Sequence, residues 1–362
     1  MITENAETGL EIFAGIDTHK NTHVIATCDS FGKILLSAQF STTNDGIQKL
    51  TQWLFEQGSV LAVGIEGTGS YGKNVTVELQ KQGIQVFEVT RAVKSERRVH
   101  GKSDFLDAQN AARCARDKVY GGAREHNACI AKDRTSELEE IRVVKALYDA
   151  SIKMRTQAVN DLKAAIISAP ASIRESLIGL STNKQIAMCL KFRSGKDKLK
   201  NLRKSALKSQ AEVINTLDKQ IKEYKEILDE FANKYLKNLL EGNQIGTISA
   251  IQLLLSAGAN ADRFKSEAAF AMHCGVAPVP ASSGMHSGKM RLSRAGDRKA
   301  NSVLHMIAIG RMGHNEETKK YVERRVAEGK SKREIIRILK RYIAREAFRR
   351  LKKDLEVFSI AS

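Results

Sequence analysis

Between Ile12 and about Thr90 the apolar residues come in short runs broken by polar turns. "IFAGID", "THVIATCDS" and "KILLSAQFST" read as three successive strands. The helical "GIQKLTQWLFEQ", the strand "VLAVGIEG", the helical "KNVTVELQKQG" and the strand "IQVFEV" follow. Strands this close in sequence pair through hairpins, whereas strands separated by helices pair in parallel. The pattern therefore predicts an α/β fold, a mixed sheet with an antiparallel side and helices on its faces.

Near Thr135 the period lengthens to that of helices. "SELEEIRVVKALYDASIKMRTQAVNDLKAAIIS" and "LRKSALKSQAEVINTLDKQIKEYKEILDEFANKYLKNLLE" carry Leu, Ile and Ala at helical spacing, with breaks at Pro170 and "RSGKDK". Two such helices fold back as an antiparallel hairpin or coiled coil, or pair with another chain. After Gly242 come a turn and helix, "IGTISAIQLLLSAG", an irregular loop, "PVPASSGMHSGKMRLSRAGDRKAN", a helix, "NSVLHMIAIGRMG", and a basic amphipathic helix to the end. Three regions result: an α/β domain over 10–130, a helical linker over 131–241, and a mainly α-helical domain with a basic tail over 242–362. The order β-β-β-α-β-α-β-α of the first is that of an RNase H-like (RuvC-like) domain.

Charge narrows the partners. With 59 basic against 41 acidic residues the net charge is +18, a field that favours polyanions and nucleic acid above all. No apolar run is long enough for a membrane span and the N-terminus has no signal-peptide pattern, so a cytoplasmic location, nucleoid-associated when active, is expected. The 5 cysteines are scattered and form no CxxC pair, which indicates neither a disulfide framework nor a zinc site.

Four carboxylates are the candidate chemistry. Asp17 ends the first predicted strand and Glu66 the fourth; in an RNase H-like sheet these strands are neighbours, so the two acids come together. Asp104 and Asp107, in "KSDFLDAQNAARCA", lie one turn apart on one face of a predicted helix that could cross the sheet. Mg²⁺ needs only one or two carboxylates per ion, so four acids can hold a pair of ions about 3.5–4 Å apart, the arrangement used on phosphodiesters. The glycine-rich "EGTGSYGK" is alternatively a phosphate cradle of an ATPase, but it matches no P-loop and sits where a turn is due.

"GIDTHK", "VGIEGTGSYG", "KSDFLDAQNAA" and "CGVAPVPASSGMHSGKMRLSRAGDRKANSVLHMIA" together resemble the DEDD transposases of the bacterial insertion sequence one-ten family, relatives of the Piv-type DNA invertases. The resemblance covers nearly the whole chain. It implies that Asp17, Glu66, Asp104 and Asp107 are the catalytic acid quartet, and that Ser282, Ser283 and Gly284 match the family's S-S/T-G motif. Because the family accepts Thr at the second place, Ser282 is the expected nucleophile and Ser283 the alternative. The resemblance further implies a covalent phosphoserine DNA intermediate and guidance by a structured bridge RNA. The chain departs from the family at 243–246, "NQIG", where a "PGIG"-like turn is usual.

A serine hydroxyl must lose its proton as it attacks, to a base or with the help of a metal. His286 is the loop's one titratable base, but nothing in the sequence orients its ring, and the quartet's metals are the better activator. Lys289, Arg291, Arg294 and Arg298 are expected to hold the phosphate, arginine through its two-pronged guanidinium. The acids and the serine are far apart in the chain, so an active site completed by assembly of a homo-oligomer, dimer or tetramer, is expected. The alternatives are a RuvC-like junction-resolving nuclease, which leaves the serine loop unexplained, and a non-catalytic nucleic-acid-binding protein, which leaves the acids unexplained.

Overall fold

A computed structural model describes residues 9–89, 103–123, 128–134, 137–193, 195, 198–280, 290–292 and 296–361. The chain forms two compact units, one of Met1–Glu139 with Leu253–Ser362 and the other of Glu140–Gln252.

The first unit is built on a mixed sheet. Its strands are β1 (Glu11–Thr18), β2 (Thr22–Asp29), β3 (Ile34–Ser41), β4 (Ser59–Glu66), β5 (Val86–Val89) and β6 (Ala128–Ile130), in the order β3-β2-β1-β4-β5-β6. β1, β2 and β3 pair antiparallel, β1, β4 and β5 parallel, and β6 antiparallel on the edge. The antiparallel side and the neighbouring first and fourth strands are as the sequence predicts. Strand β6 is additional, since three residues are too few to show a period.

Side-chain alternation sorts the sheet into two faces. Ile12, Ala14 and Ile16 of β1, with Val63 and Ile65 of β4, pack against Ile47, Leu50 and Leu54 of α1 (Asn44–Glu56) and Val75 and Leu79 of α2 (Lys73–Lys81). Helix α1 starts where Thr43 accepts a hydrogen bond from the Gly46 amide, and its apolar residues recur at helical spacing. The other face carries Phe13, Ala62 and Phe87 against Ala111, Ala112 and Ala115 of α3 (Asp104–Tyr120).

Helix α3 lies unusually close to the strands because two glycines face it. A Cβ on Gly15 would stand 2.1 Å from the Ala108 carbonyl oxygen and the Ala112 amide nitrogen, and one on Gly64 would stand 2.3 Å from the Ala111 oxygen. Gly15 and Gly64 are register partners across β1 and β4, so together they form a flat seat for the alanine face of the helix.

The rest of the first unit is mainly helical: α10 (Glu267–His273), α11 (Arg298–His314), α12 (Glu316–Ala327) and α13 (Lys332–Ala361). Phe270 stacks on Phe348 at 5.4 Å, and Arg311 pairs with Glu346 at 2.8 Å. Where the sequence predicts an irregular loop after Ala277, β7 (Pro278–Pro280) pairs antiparallel with β8 (Met290–Leu292). A two-stranded ladder has only edges, which is where proline's missing N–H is tolerated.

The second unit contains α5 (Ala171–Leu177), α6 (Thr182–Leu190), α7 (Lys198–Tyr235) and α8 (Lys237–Leu240), with most of α4 (Leu138–Ile167) and the start of α9 (Thr247–Ala257). Helices α4 and α7 run antiparallel: Arg155 pairs with Asp218, and the Gln210 amide donates to the Ala158 carbonyl at 3.1 Å. Leu162 and Ile166 meet Leu207, Ala211 and Ile214 in one core, closed by the two short helices after Pro170.

Gln244 has φ 59°, the one described non-glycine residue in the left-handed region. It stands at the second place of "NQIG", where the resembling family carries glycine. A side chain there costs about 1–2 kcal/mol, partly offset by the smaller chain entropy lost. Gln244→Gly is accordingly expected to stabilise the protein by about 0.5–1 kcal/mol, read by denaturant titration, and a lower midpoint would contradict the assignment of strain.

Candidate active site

Asp17 and Glu66 end adjacent parallel strands and are direct register partners. By alternation both belong to the sheet face that carries α3, since Gly15 and Gly64 precede them by two on that face. The ends of the two strands are tied together by the Thr18 hydroxyl, which donates to the Glu66 carbonyl at 2.7 Å. The glycine-rich turn after Glu66 closes on itself, with the Ser70 amide donating to the Gly67 carbonyl at 3.2 Å and the Lys73 amide to the Ser70 carbonyl at 3.1 Å. These amides are used within the turn, which favours the turn over the phosphate cradle.

Asp104 and Asp107 occupy the first turn of α3, after Ser103. Acids are favoured there by the helix dipole, so their position serves the helix as well as the site. The close seat of α3 brings its first turn to the end of β1, where side-chain donors of Asp17, His19 and Asp104 lie within 4.8 Å of one another. Burial pushes the Asp17 carboxyl up to about 6; His19 works against the rise, and the carboxylates of Glu66, Asp107 and Asp104 add to it. A buried carboxyl among like charges is stabilised when a cation joins it, and the donor set of two carboxylates and one imidazole suits a divalent metal ion.

His19 is the residue that sequence reasoning passed over. It follows Asp17 by two in "GIDTHK", and its neighbour Asp104 comes from a distant segment, so only its closeness to Asp17 was visible beforehand.

Ser282, Ser283, His286, Lys289 and Arg294 lie outside the described residues. Arg291 is the central residue of β8, opposite Val279, and Arg298 is the exposed first residue of α11. What the structure describes is the framework on either side of residues 281–289. Asp297 caps α11, accepting hydrogen bonds from the Lys299 and Ala300 amides at 2.8 and 3.0 Å. Burial raises its carboxyl, but these amides, the Ser256 hydroxyl and Lys132 together hold it below its ordinary value. The Asp297 amide donates to the His273 carbonyl at 2.7 Å, and the Asn301 side chain donates to the carbonyls of Cys274 and Gly275.

This framework is joined to the sheet edge by polar contacts. The Asn260 side chain accepts from the Asp133 amide and donates to the Ala131 carbonyl, both at 2.9 Å. Arg263 donates to the Ile130 carbonyl at 2.9 Å and to the Ala257 carbonyl at 2.8 Å. Lys132 reaches the Leu255 carbonyl at 2.6 Å. Burial, with Arg263 and Arg134 adding to it, lowers the Lys132 ammonium to about 8. Asn260→Ala removes both bonds at the junction and is expected to cost about 2 kcal/mol in denaturant titration; a cost near zero would show that the junction does not depend on them.

The fold and the acids define a class of site: carboxylates at the ends of adjacent strands of a mixed sheet, a donor set suited to a divalent ion. Two family models match the chain, a DEDD model of the IS110 group, described as transposase, over residues 14–168, and one described as transposase IS116/IS110/IS902 family over residues 236–323. The chain belongs to the IS110 family of transposases, and it is a DNA-cutting and DNA-joining enzyme. Among curated proteins none matches it. No helix among the described residues is long and apolar enough to cross a membrane.

Proposed function

We propose that the protein moves an insertion sequence through a split active site: an RNase H-like domain whose Asp17, Glu66, Asp104 and Asp107 bind Mg²⁺, and a C-terminal domain whose Ser282 attacks DNA. The observation that carries the first half is the convergence of Asp17 and Asp104 donors at the strand end where Glu66 is the register partner of Asp17. The second half rests on the family motif at Ser282 and Ser283, between the paired strands 278–280 and 290–292. The division into 10–130, 131–241 and 242–362 belongs to the same reading.

A divalent ion at the acids would offset charge on the attacked phosphate and favour the serine alkoxide. Ser282 Oγ forms a bond to phosphorus as the bond from phosphorus to the departing deoxyribose oxygen breaks. The serine proton leaves to solvent, and the leaving oxygen takes one up. A strand hydroxyl later reverses the exchange, so the number of phosphodiester bonds is conserved and no ATP is needed. Lys289, Arg291, Arg294 and Arg298 neutralise the phosphate. Such contacts carry no base identity, which leaves sequence choice to a paired bridge RNA. Exposed apolar side chains on α4 and α7, among them Leu147, Met154, Leu199 and Leu202, support a homo-oligomer.

The test is the protein–DNA adduct on a denaturing gel. Ser282→Ala is expected to lose the adduct and strand transfer while retaining DNA and RNA binding; unchanged strand transfer would sink the serine mechanism. Loss in Ser283→Ala with activity kept in Ser282→Ala moves the nucleophile by one residue. RNase treatment of the purified complex is expected to abolish targeted activity, and activity that survives would favour protein-directed recombination.

A further inference from the structure

His19 lies between two members of the acid quartet without being one of them. Its Nδ1 is 3.8 Å from Asp17 Oδ2 and its Nε2 is 3.7 Å from Asp104 Oδ1. Both separations exceed hydrogen-bond length. They involve different ring nitrogens, so an ion shared with both acids takes one of them; one ligand atom from each of Asp17, His19 and Asp104 lies within 4.8 Å of the others. The Nδ1 atom is shielded from solvent and has no hydrogen-bond partner, which is costly for a polar atom and is relieved by a ligand. The His19 amide donates to the Thr22 carbonyl at 3.0 Å, so the tight β1–β2 turn fixes the backbone from which the ring projects.

We propose that His19 gives a ring nitrogen to the same divalent ion as Asp17 and Asp104, making the centre a mixed nitrogen and oxygen site. The proposal rests on the reading of those two acids as metal ligands. Carboxylates alone suit Mg²⁺, whereas an imidazole shifts preference toward first-row transition ions, which bind nitrogen donors more tightly. His19 therefore raises the affinity of the site for Mn²⁺ relative to that for Mg²⁺.

Mn²⁺ is the probe, because it accepts carboxylate sites and is paramagnetic. Pulsed EPR of the full-length protein with Mn²⁺, prepared with ¹⁴N- and ¹⁵N-histidine, is expected to show coupling to a directly bound imidazole nitrogen. His19→Asn and the longer His19→Gln, each checked for folding by circular dichroism, are expected to lose that coupling. Both should weaken Mn²⁺ binding about tenfold or more, with Mg²⁺ affinity little changed. Absence of nitrogen coupling in the wild type, or its persistence in both folded variants, overturns the proposal. Asp17→Asn separates the two readings: if it removes Mn²⁺ binding while the wild type shows no nitrogen coupling, only the role of His19 fails. If Mn²⁺ binds unchanged in Asp17→Asn, the metal site itself is misassigned.

Discussion

Gly15→Ala is expected to destabilise the protein by about 3 kcal/mol or more, the upper end of what overpacking costs, because the added carbon meets backbone atoms. The Ala108 oxygen and Ala112 nitrogen, both 2.1 Å from the new atom, belong to a helix that can retreat only as a whole. Retreat pulls Ala111, Ala112 and Ala115 off the sheet and lifts Asp104 and Asp107 away from Asp17. The thermal midpoint should fall by roughly 6–12 °C. Gly313→Ala is the control: nothing lies within 4 Å of its added carbon, and alanine in the last turn of α11 should leave the midpoint unchanged or slightly raised, by up to about 0.5 kcal/mol. Equal midpoints for wild type and Gly15→Ala would show that α3 is not seated on Gly15.

Asp17→Asn should produce opposite effects on activity and on metal-free stability. Strand cleavage is expected to fall by at least about a thousandfold, several kcal/mol of lost transition-state stabilisation. Stability follows from linkage. The folded carboxyl titrates near 6 against an ordinary 3.8, so the folded state binds more protons between those values and loses stability as pH rises through them. The penalty is absent below about pH 4 and complete above about pH 6. Asparagine removes it, so the metal-free variant should exceed the wild type at pH 7 by on the order of 1–3 kcal/mol, with no difference at pH 3.5. Added divalent metal should raise the wild-type midpoint and leave the variant unchanged. A variant less stable than metal-free wild type at pH 7 would contradict the raised Asp17 carboxyl.

The strand-end acids were legible because the apolar runs before them are long enough to show a period, and the strand order makes the first and fourth runs neighbours. The pairing of Asp17 with Glu66 follows once that order is read as an RNase H-like sheet. Other features were not legible. Strand β6, three residues long, is set by pairing with β5. Two prolines and a run of Lys and Arg predict a loop at 278–301, and the Pro278–Pro280 ladder forms because its partner strand lies alongside. Gly15 and Gly64 look like ordinary strand glycines, and their purpose appears only when the helix packed on them is present.

The sequence by itself determined the α/β order, the helical middle and the strand-end places of Asp17 and Glu66, because periodicity and strand ends are local properties of the chain. It also carried the family, through motifs spread over most of its length. Tertiary structure decided which donors converge: His19 faces Asp104, and α3 comes close enough to raise the Asp17 carboxyl. Those distances depend on how deeply a helix settles onto a sheet, a property of packed surfaces that no linear spacing encodes.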